Sequence, residues 1–235
     1  MKFSLLIPTR DRIHNILPLI SNIKETVSNI NNIEVLFICD SDDKLTFNAL
    51  FKYRIYDNFY FLTIKRSDYL NRDYYNKLAR YSSGNYLWAI ADDVKFHTKN
   101  WDIILEEKIE DYLKDKKDRI AYISVKEKGS NAKHPCFPLI TKEAFKALNM
   151  YFHPELMSWG ADRCLHELYS AVDRTFRIEE VEIEHLSYHD GKALYDKTAQ
   201  SMKERFFRDP DCHNKVILYV LPQQIKILKG IIYNA

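Results

Sequence analysis

Residues 86–96 read "YLWAIADDVKF". From Tyr86 to Ile90 the run is continuously apolar, the pattern of a short strand buried on both faces of a sheet. It then delivers Asp92 and Asp93, two adjacent carboxylates at the rim of a core. Like charges placed there repel each other and lose hydration, so something must compensate them. The compensation is bulk water, a metal cation or a cationic side chain, and which it is decides what this edge of the protein does. Neighbouring residues at a strand end point in different directions, so the pair can serve two ligand groups. A turn with aspartates accepting backbone amides is the structural alternative.

Upstream, "FSLLIP" (Phe3 to Pro8), "IEVLFIC" (Ile33 to Cys39) and "FYFLTI" (Phe59 to Ile64) are similar strand-like runs. Helical patterns alternate with them. Ile13, Ile16, Leu17, Ile20, Ile23 and Val27 share one face, with Asn15 as the predicted N-cap and Pro18 in the first turn. Further helices are predicted over Leu45–Tyr53 and Asp73–Ser83, the latter closed by Gly84. Strand–helix alternation of this kind predicts a parallel, doubly wound sheet, whose ligands sit beyond the carboxyl ends of the strands. Those ends bring Thr9 and Arg10, Asp40, Lys65 and Arg66, and Asp92 and Asp93 to one rim.

The second half is less regular. Trp101, Ile104, Leu105, Ile109, Tyr112 and Leu113 mark an amphipathic helix. "IAYISV" (Ile120 to Val125) and "CFPLI" (Cys136 to Ile140) read as strands, and Thr141 as the cap of a helix through Leu148. "MSWGADRCLHELY" is a Gly-containing loop entering a helix, and "VEIEH" alternates like a strand ending at His185. The expected organisation is a main unit over 1–190, regular over 1–95 and less so over 96–190, with a helical C-terminal extension over 191–235.

The 235 residues are 46% hydrophobic and 29% charged, which excludes a disordered chain and allows a sizeable core. A formal net charge of +2 lacks the basic excess of a dedicated nucleic-acid binder. Cys39, Cys136, Cys164 and Cys212 form no CxxC pair and suit reduced thiols in a cytoplasm. The N-terminal "MKFSLLIPTR" is too short an apolar run for an export segment. The six-residue run "VILYVL" (Val216 to Leu221) is too short to span a bilayer.

"SLLIPTRDR", "ICDSDD", "NKLARYSSGNYLWAIADDV" and "SWGADRCLHEL", in this order, resemble the GT-A-fold glycosyltransferases, especially the family-2-like nucleotide-sugar transferases. The likeness covers about Met1 to His189 and implies a catalytic unit over 1–190, with a nucleotide-binding half over 1–95 and an acceptor half over 96–190. It implies a GT-A (Rossmann-like) mixed α/β sheet flanked by helices, and transfer of a sugar from a nucleotide-diphosphate donor, a UDP-sugar, to a hydroxyl on a glycan or glycoconjugate. By the same resemblance Pro8, Thr9 and Arg10 pack beside the base, although Arg10 stands where an aromatic is commoner. Asp40 accepts from the base imide, and Arg66 or Arg72 faces base or diphosphate. Asn76 marks the helix ahead of the metal motif. Asp92 becomes the ribose or sugar contact and Asp93 the ligand of Mn²⁺ or Mg²⁺, although Ala91 stands where the family's motif has a further aspartate.

Oxygen donors favour those cations, which stabilise charge on a diphosphate leaving group. Asp162 matches the base of inverting members, taking the acceptor's proton; as an N-cap it is equally well explained. Trp159 and Gly160 beside it are the expected acceptor contacts, with core packing the plain reading of Trp159. His185, or His189 in its place, is the expected second metal ligand; a satisfied core histidine is the alternative. The tail from Lys215 onward, basic and aliphatic, suits packing on the domain, a homodimer contact or peripheral contact with an anionic membrane. A non-catalytic module that holds a nucleotide or glycan is the competing function. A Rossmann enzyme with another cofactor is disfavoured, because "IPTRDRIHN" has no glycine to cradle a phosphate.

Overall fold

The computed structural model describes residues 2–53, 58–130, 134–188, 191–193, 195–208 and 211–235. Among these, eight strands form one sheet in the order β3-β2-β1-β4-β7-β6-β8-β5. β1 (Phe3–Thr9), β2 (Ile33–Asp40), β3 (Phe59–Ile64) and β4 (Tyr86–Ala89) are parallel, joined through α1 (Ile13–Thr26), α2 (Lys44–Phe51) and α3 (Asn76–Tyr81). The chain enters α3 through a π-helical turn at Leu70–Tyr75.

The alternation of elements thus gives the parallel order of the first four strands, and beyond β4 the sheet becomes mixed, as the GT-A resemblance implies. β7 (Leu139–Thr141) runs antiparallel to β4, and β6 (Tyr122–Glu127) antiparallel to β7. β8 (Thr175–His185) is parallel to β6 and antiparallel to β5 (Val94–Phe96), a three-residue strand that its brevity hid in the sequence. The helices α4 (Trp101–Leu113), α5 (Lys142–Leu148) and α6 (Ala161–Ser170) belong to this half. After β8 come α7 (Lys197–Arg208) and a C-terminal helix, Cys212–Tyr233.

Both faces of the sheet are buried, which is why its central strands read as unbroken apolar runs. Leu5, Ile7 and Trp88 face one core with α1 and α4. Leu6, Leu87 and Ala89 face the other, with α3, α5, α6 and the C-terminal helix. The indole nitrogens of Trp88 and Trp101 donate to Phe137 O (3.0 Å) and Thr26 Oγ1 (3.2 Å), so neither ring buries an unsatisfied donor.

Several local expectations are corrected. α1 starts earlier than Asn15: Arg12 is its cap and Pro18 lies inside the helix. β7 begins at Leu139 rather than Cys136. Thr141 does cap α5, accepting from Ala144 N. "VILYVL" is no isolated run but part of the 22-residue helix Cys212–Tyr233, which by length and composition is apolar enough to be compared with a membrane-spanning helix.

Gly84 does not follow a left-handed helix end; the residue capping α3 is Ser82, in extended conformation. The glycine is needed for space. A Cβ there would lie 2.5 Å from Ser4 Oγ and 3.0 Å from Ser4 N, beside the buried Glu34 that Ser4 and Ser83 hold. Gly84→Ala is therefore expected to lower stability by about 1–3 kcal/mol. A denaturant midpoint that drops at unchanged slope would record this; an unshifted midpoint would contradict it.

Candidate active site

β1, β2 and β4 converge on two adjoining cavities. The smaller, of about 410 Å³, is lined by Pro8, Thr9, Arg10, Asp40, Arg66 and Asp92, with α7 across it. The larger, of about 550 Å³, is lined by Asp93, Trp159, Gly160, Asp162 and His185. Arg12, Leu70, Tyr75, Ala91 and Met202 line both and form the waist between them. The adjacent carboxylates thus open into different cavities.

The cation beside the carboxylates in this structure is a side chain. Arg12 Nη1 lies 3.1 Å from Asp92 Oδ1 and 3.3 Å from Asp93 Oδ2. Its other nitrogens grip Asp196 just ahead of α7, at 2.7 and 3.0 Å. Thr9 Oγ1 donates to Asp92 Oδ2 at 2.6 Å. Even so, burial pushes the Asp92 carboxyl up to about 6, the charge on Asp93 adding to the rise while Arg12 and Thr9 oppose it. Three carboxylates around one guanidinium leave surplus negative charge, so Arg12 does not exhaust what the site can bind.

Asp93 Oδ1 is buried without a hydrogen-bond partner, 3.2 Å from His185 Nε2. Pairing of Val94 with His185 between β5 and β8 brings the two together, and Leu186 N donates to Asp93 O at 2.8 Å. An orphaned carboxylate oxygen facing an imidazole nitrogen fits a divalent cation. Two neighbouring octahedral positions with bonds of ~2.1 Å are separated by ~3 Å. Among the described residues no group of three or more His, Cys, Asp or Glu side chains could hold a metal alone, so a bound ligand would have to complete the shell. His189 lies outside the described residues.

The other predicted residues divide. Asp40 lines the smaller cavity with both oxygens engaged, by Tyr74 OH and by Arg10 Nη1 at 2.5 Å. Arg10 is thus an ion-pair partner of Asp40 and Asp42 instead of a stacking platform. Arg66 reaches the cavity, with Ser201 Oγ at 3.4 Å from its guanidinium. Arg72 does not: it is exposed, paired with Asp73 and stacked over Tyr69.

Asn76 is likewise away from the cavities. It is 1% exposed, donating to Phe152 O and accepting from Tyr151 N and Phe152 N. Asn71, unnoticed in the sequence, donates in the same way to Leu156 O and Ser158 O and lines the larger cavity. The two asparagines pin the loop that carries Trp159.

Asp162 is not the cap of α6. Gly160, at φ +84°, holds that position, and Asp162 sits in the first turn. Burial raises its pKa, against the lowering effect of the backbone amides of Arg163 and of Asp162 itself. A raised carboxylate is a stronger base, provided it is ionised at working pH.

Sequence reasoning also missed α7. Placed in a separate extension, it lies on the smaller cavity, contributing Lys197, Thr198, Ser201 and Arg205. Thr198 Oγ1 donates to Arg10 O at 3.1 Å, and Arg205 and Arg208 pair with Asp68. The available signal was Asp196 followed by an amphipathic basic segment.

No family model matches the chain, and no curated protein does. Solved structures do. TarS 1–349 of S. aureus in complex with UDP-GlcNAc is similar at a TM-score of 0.62 and 16% identity, over 98% of this chain and 80% of that one. The mannosyltransferase PcManGT of Pyrobaculum calidifontis, in complex with GDP-Man and Mn²⁺, gives 0.60 and 13%, over 98% and 73%. At such identity the likeness concerns the fold, and this chain has the GT-A-like α/β fold, a mixed sheet flanked by helices.

Because the folded pKa of Asp92 exceeds the unfolded value of about 3.9, the native state binds more protons between the two. The contribution of Asp92 to stability is expected to fall as pH rises from about 4 to about 6 and then level off, opposed by the carboxylates that salt bridges hold below their usual range. Thermal melts across that window should show a slope of stability against pH that is more positive in Asp92→Asn than in the wild type. An unchanged slope in the variant would remove the assignment.

Proposed function

We propose that this protein is a metal-dependent glycosyltransferase that moves a sugar from a nucleotide-diphosphate donor, a UDP-sugar, to a hydroxyl acceptor with inversion. The observation that carries this reading is the waist. There Arg12 joins Asp92 to Asp93, whose Oδ1 makes no hydrogen bond and faces His185 at 3.2 Å, between a cavity of about 410 Å³ and a second one lined by the half-buried Asp162. TarS with UDP-GlcNAc and PcManGT with GDP-Man and Mn²⁺ share the fold and support the donor class and the ion.

In this reading the base occupies the smaller cavity near Asp40 and Arg10, and Asp92 holds ribose or sugar. The diphosphate crosses the waist, where Arg12 trades a carboxylate for phosphate oxygens, a geometry that suits a guanidinium fork. Asp93 and His185 would hold Mn²⁺ or Mg²⁺, which when bound supplies Lewis-acid stabilisation of the leaving diphosphate. Trp159 and Gly160 position the acceptor. Asp162 takes the proton of its hydroxyl while that oxygen bonds to the anomeric carbon, and the breaking bond leaves its electron pair on the diphosphate. Tyr75, which lines both cavities, is held in place by its hydroxyl donating to Ile90 O at 3.2 Å.

Calorimetry with UDP and Mn²⁺ tests the donor site. Wild type is expected to bind UDP more tightly with the ion, and Asp93→Ala to lose that increment while retaining metal-free binding; an intact increment would refute the ligand assignment. Asp162→Asn should keep UDP affinity and lose about 10²–10⁴-fold in transfer. Transfer at the wild-type rate would leave Asp162 a merely structural member of α6.

A further inference from the structure

The C-terminal helix Cys212–Tyr233 uses only part of its circumference to pack. Val216, Leu221 and Leu228 are buried in the core shared with α5 and α6. Its outer side carries Leu218 (64% exposed), Tyr219 (69%), Ile227 and Tyr233 (82%). Lys215, Lys226 and Lys229 are exposed on the same helix, and from Cys212 to Ala235 the sequence contains no Asp or Glu.

We infer that this face docks on an anionic bilayer surface. Exposed aliphatic side chains gain by entering the acyl boundary, tyrosines suit the headgroup level, and lysines on a helix that contains no Asp or Glu match an anionic surface. A second copy of the chain fits less well, because a two-fold contact would set this acid-free, lysine-bearing face against itself. The helix lies along the membrane instead of crossing it. Its inner residues are committed to the protein core, and Gln223, Gln224, Lys226 and Lys229 interrupt its apolar length. A π-helical turn at Val216–Val220 accommodates Pro222, which has no amide to donate. The helix also begins against Gly160, which lines the larger cavity: a Cβ on Gly160 would lie 3.0 Å from the His213 ring. Docking therefore sets one rim of the proposed acceptor site beside the helix that meets the lipid, as a membrane-anchored acceptor would require. That last step rests on the proposed function, whereas docking itself does not.

Sedimentation of the full chain with vesicles tests this. Binding is expected to vesicles of equal parts phosphatidylcholine and phosphatidylglycerol, to weaken with salt, and to be absent with phosphatidylcholine alone. The K215Q/K226Q/K229Q variant should bind about 100-fold more weakly, at roughly fivefold per lysine. L218S/Y219S should weaken binding even at low salt. These residues are exposed, so far-ultraviolet circular dichroism is expected to match the wild type. Wild type that ignores the anionic vesicles, or a glutamine variant that binds undiminished, overturns the inference. So does a dimer in solution that L218S/Y219S dissolves without any vesicle binding, which would assign the face to a second copy. UDP binding is read separately: its absence in wild type would sink the transfer reading and leave docking intact.

Discussion

One guanidinium organises the carboxyl edge of the sheet. Arg12 lies between Asp92 and Asp93 at the end of β4 and Asp196 at the start of α7, so a single side chain ties parts of the sequence about a hundred residues apart. Its charge makes a buried pair of adjacent aspartates tolerable, and its reach to Asp196 draws α7 across the smaller cavity. Burial alone would drive Asp92 toward its neutral form; the arginine limits that rise without abolishing it. Since one positive charge faces three carboxylates, the edge keeps an attraction for further cations. For the proposed reaction, that is the electrostatic condition for receiving an ion and an anionic diphosphate together.

The second constraint is the return of the chain through β8. Parallel strands with helical crossovers build the nucleotide-sized cavity, but a sheet of that kind ends where Asp93 does. The antiparallel pairing of β5 with β8 carries His185 back to the same edge and closes the larger cavity beside Asp93. Asn71 and Asn76 complete the joint by satisfying backbone groups of residues 151–158, fixing the Trp159 loop against the parallel half of the fold. In the proposed reaction these contacts let donor and acceptor be held by different halves of one rigid sheet. The C-terminal helix buttresses α5 and α6 with one side and leaves lysines and apolar side chains outward.

The four opening strands and their polar ends were legible in the sequence because strands buried on both faces leave continuous apolar runs, and "YLWAIADDVKF" is the clearest. The same logic placed Thr9, Asp40, Asp92 and Asp93 on one rim, and the alternation of Val181, Ile183 and His185 gave a strand. Arg72 and Asn76 show where it failed. Both belong to a helical segment whose facing cannot be read locally, since one points to solvent and the other to a buried loop. β5 was hidden by its brevity, and α7 by its polarity, because a helix that covers a polar cavity carries the composition of a surface helix.

What the sequence determined by itself was periodicity: which runs are buried, where they stop, and which charges they deliver to the rim. What only the tertiary structure decided was partnership. Arg12 as counter-ion to Asp92, Asp93 and Asp196, His185 beside Asp93, and α7 over the smaller cavity all join residues some eighty or more positions apart. Local spacing carries no information on such pairs, because the register of β8 on β5 and the packing of α7 on the sheet edge are set by the whole fold.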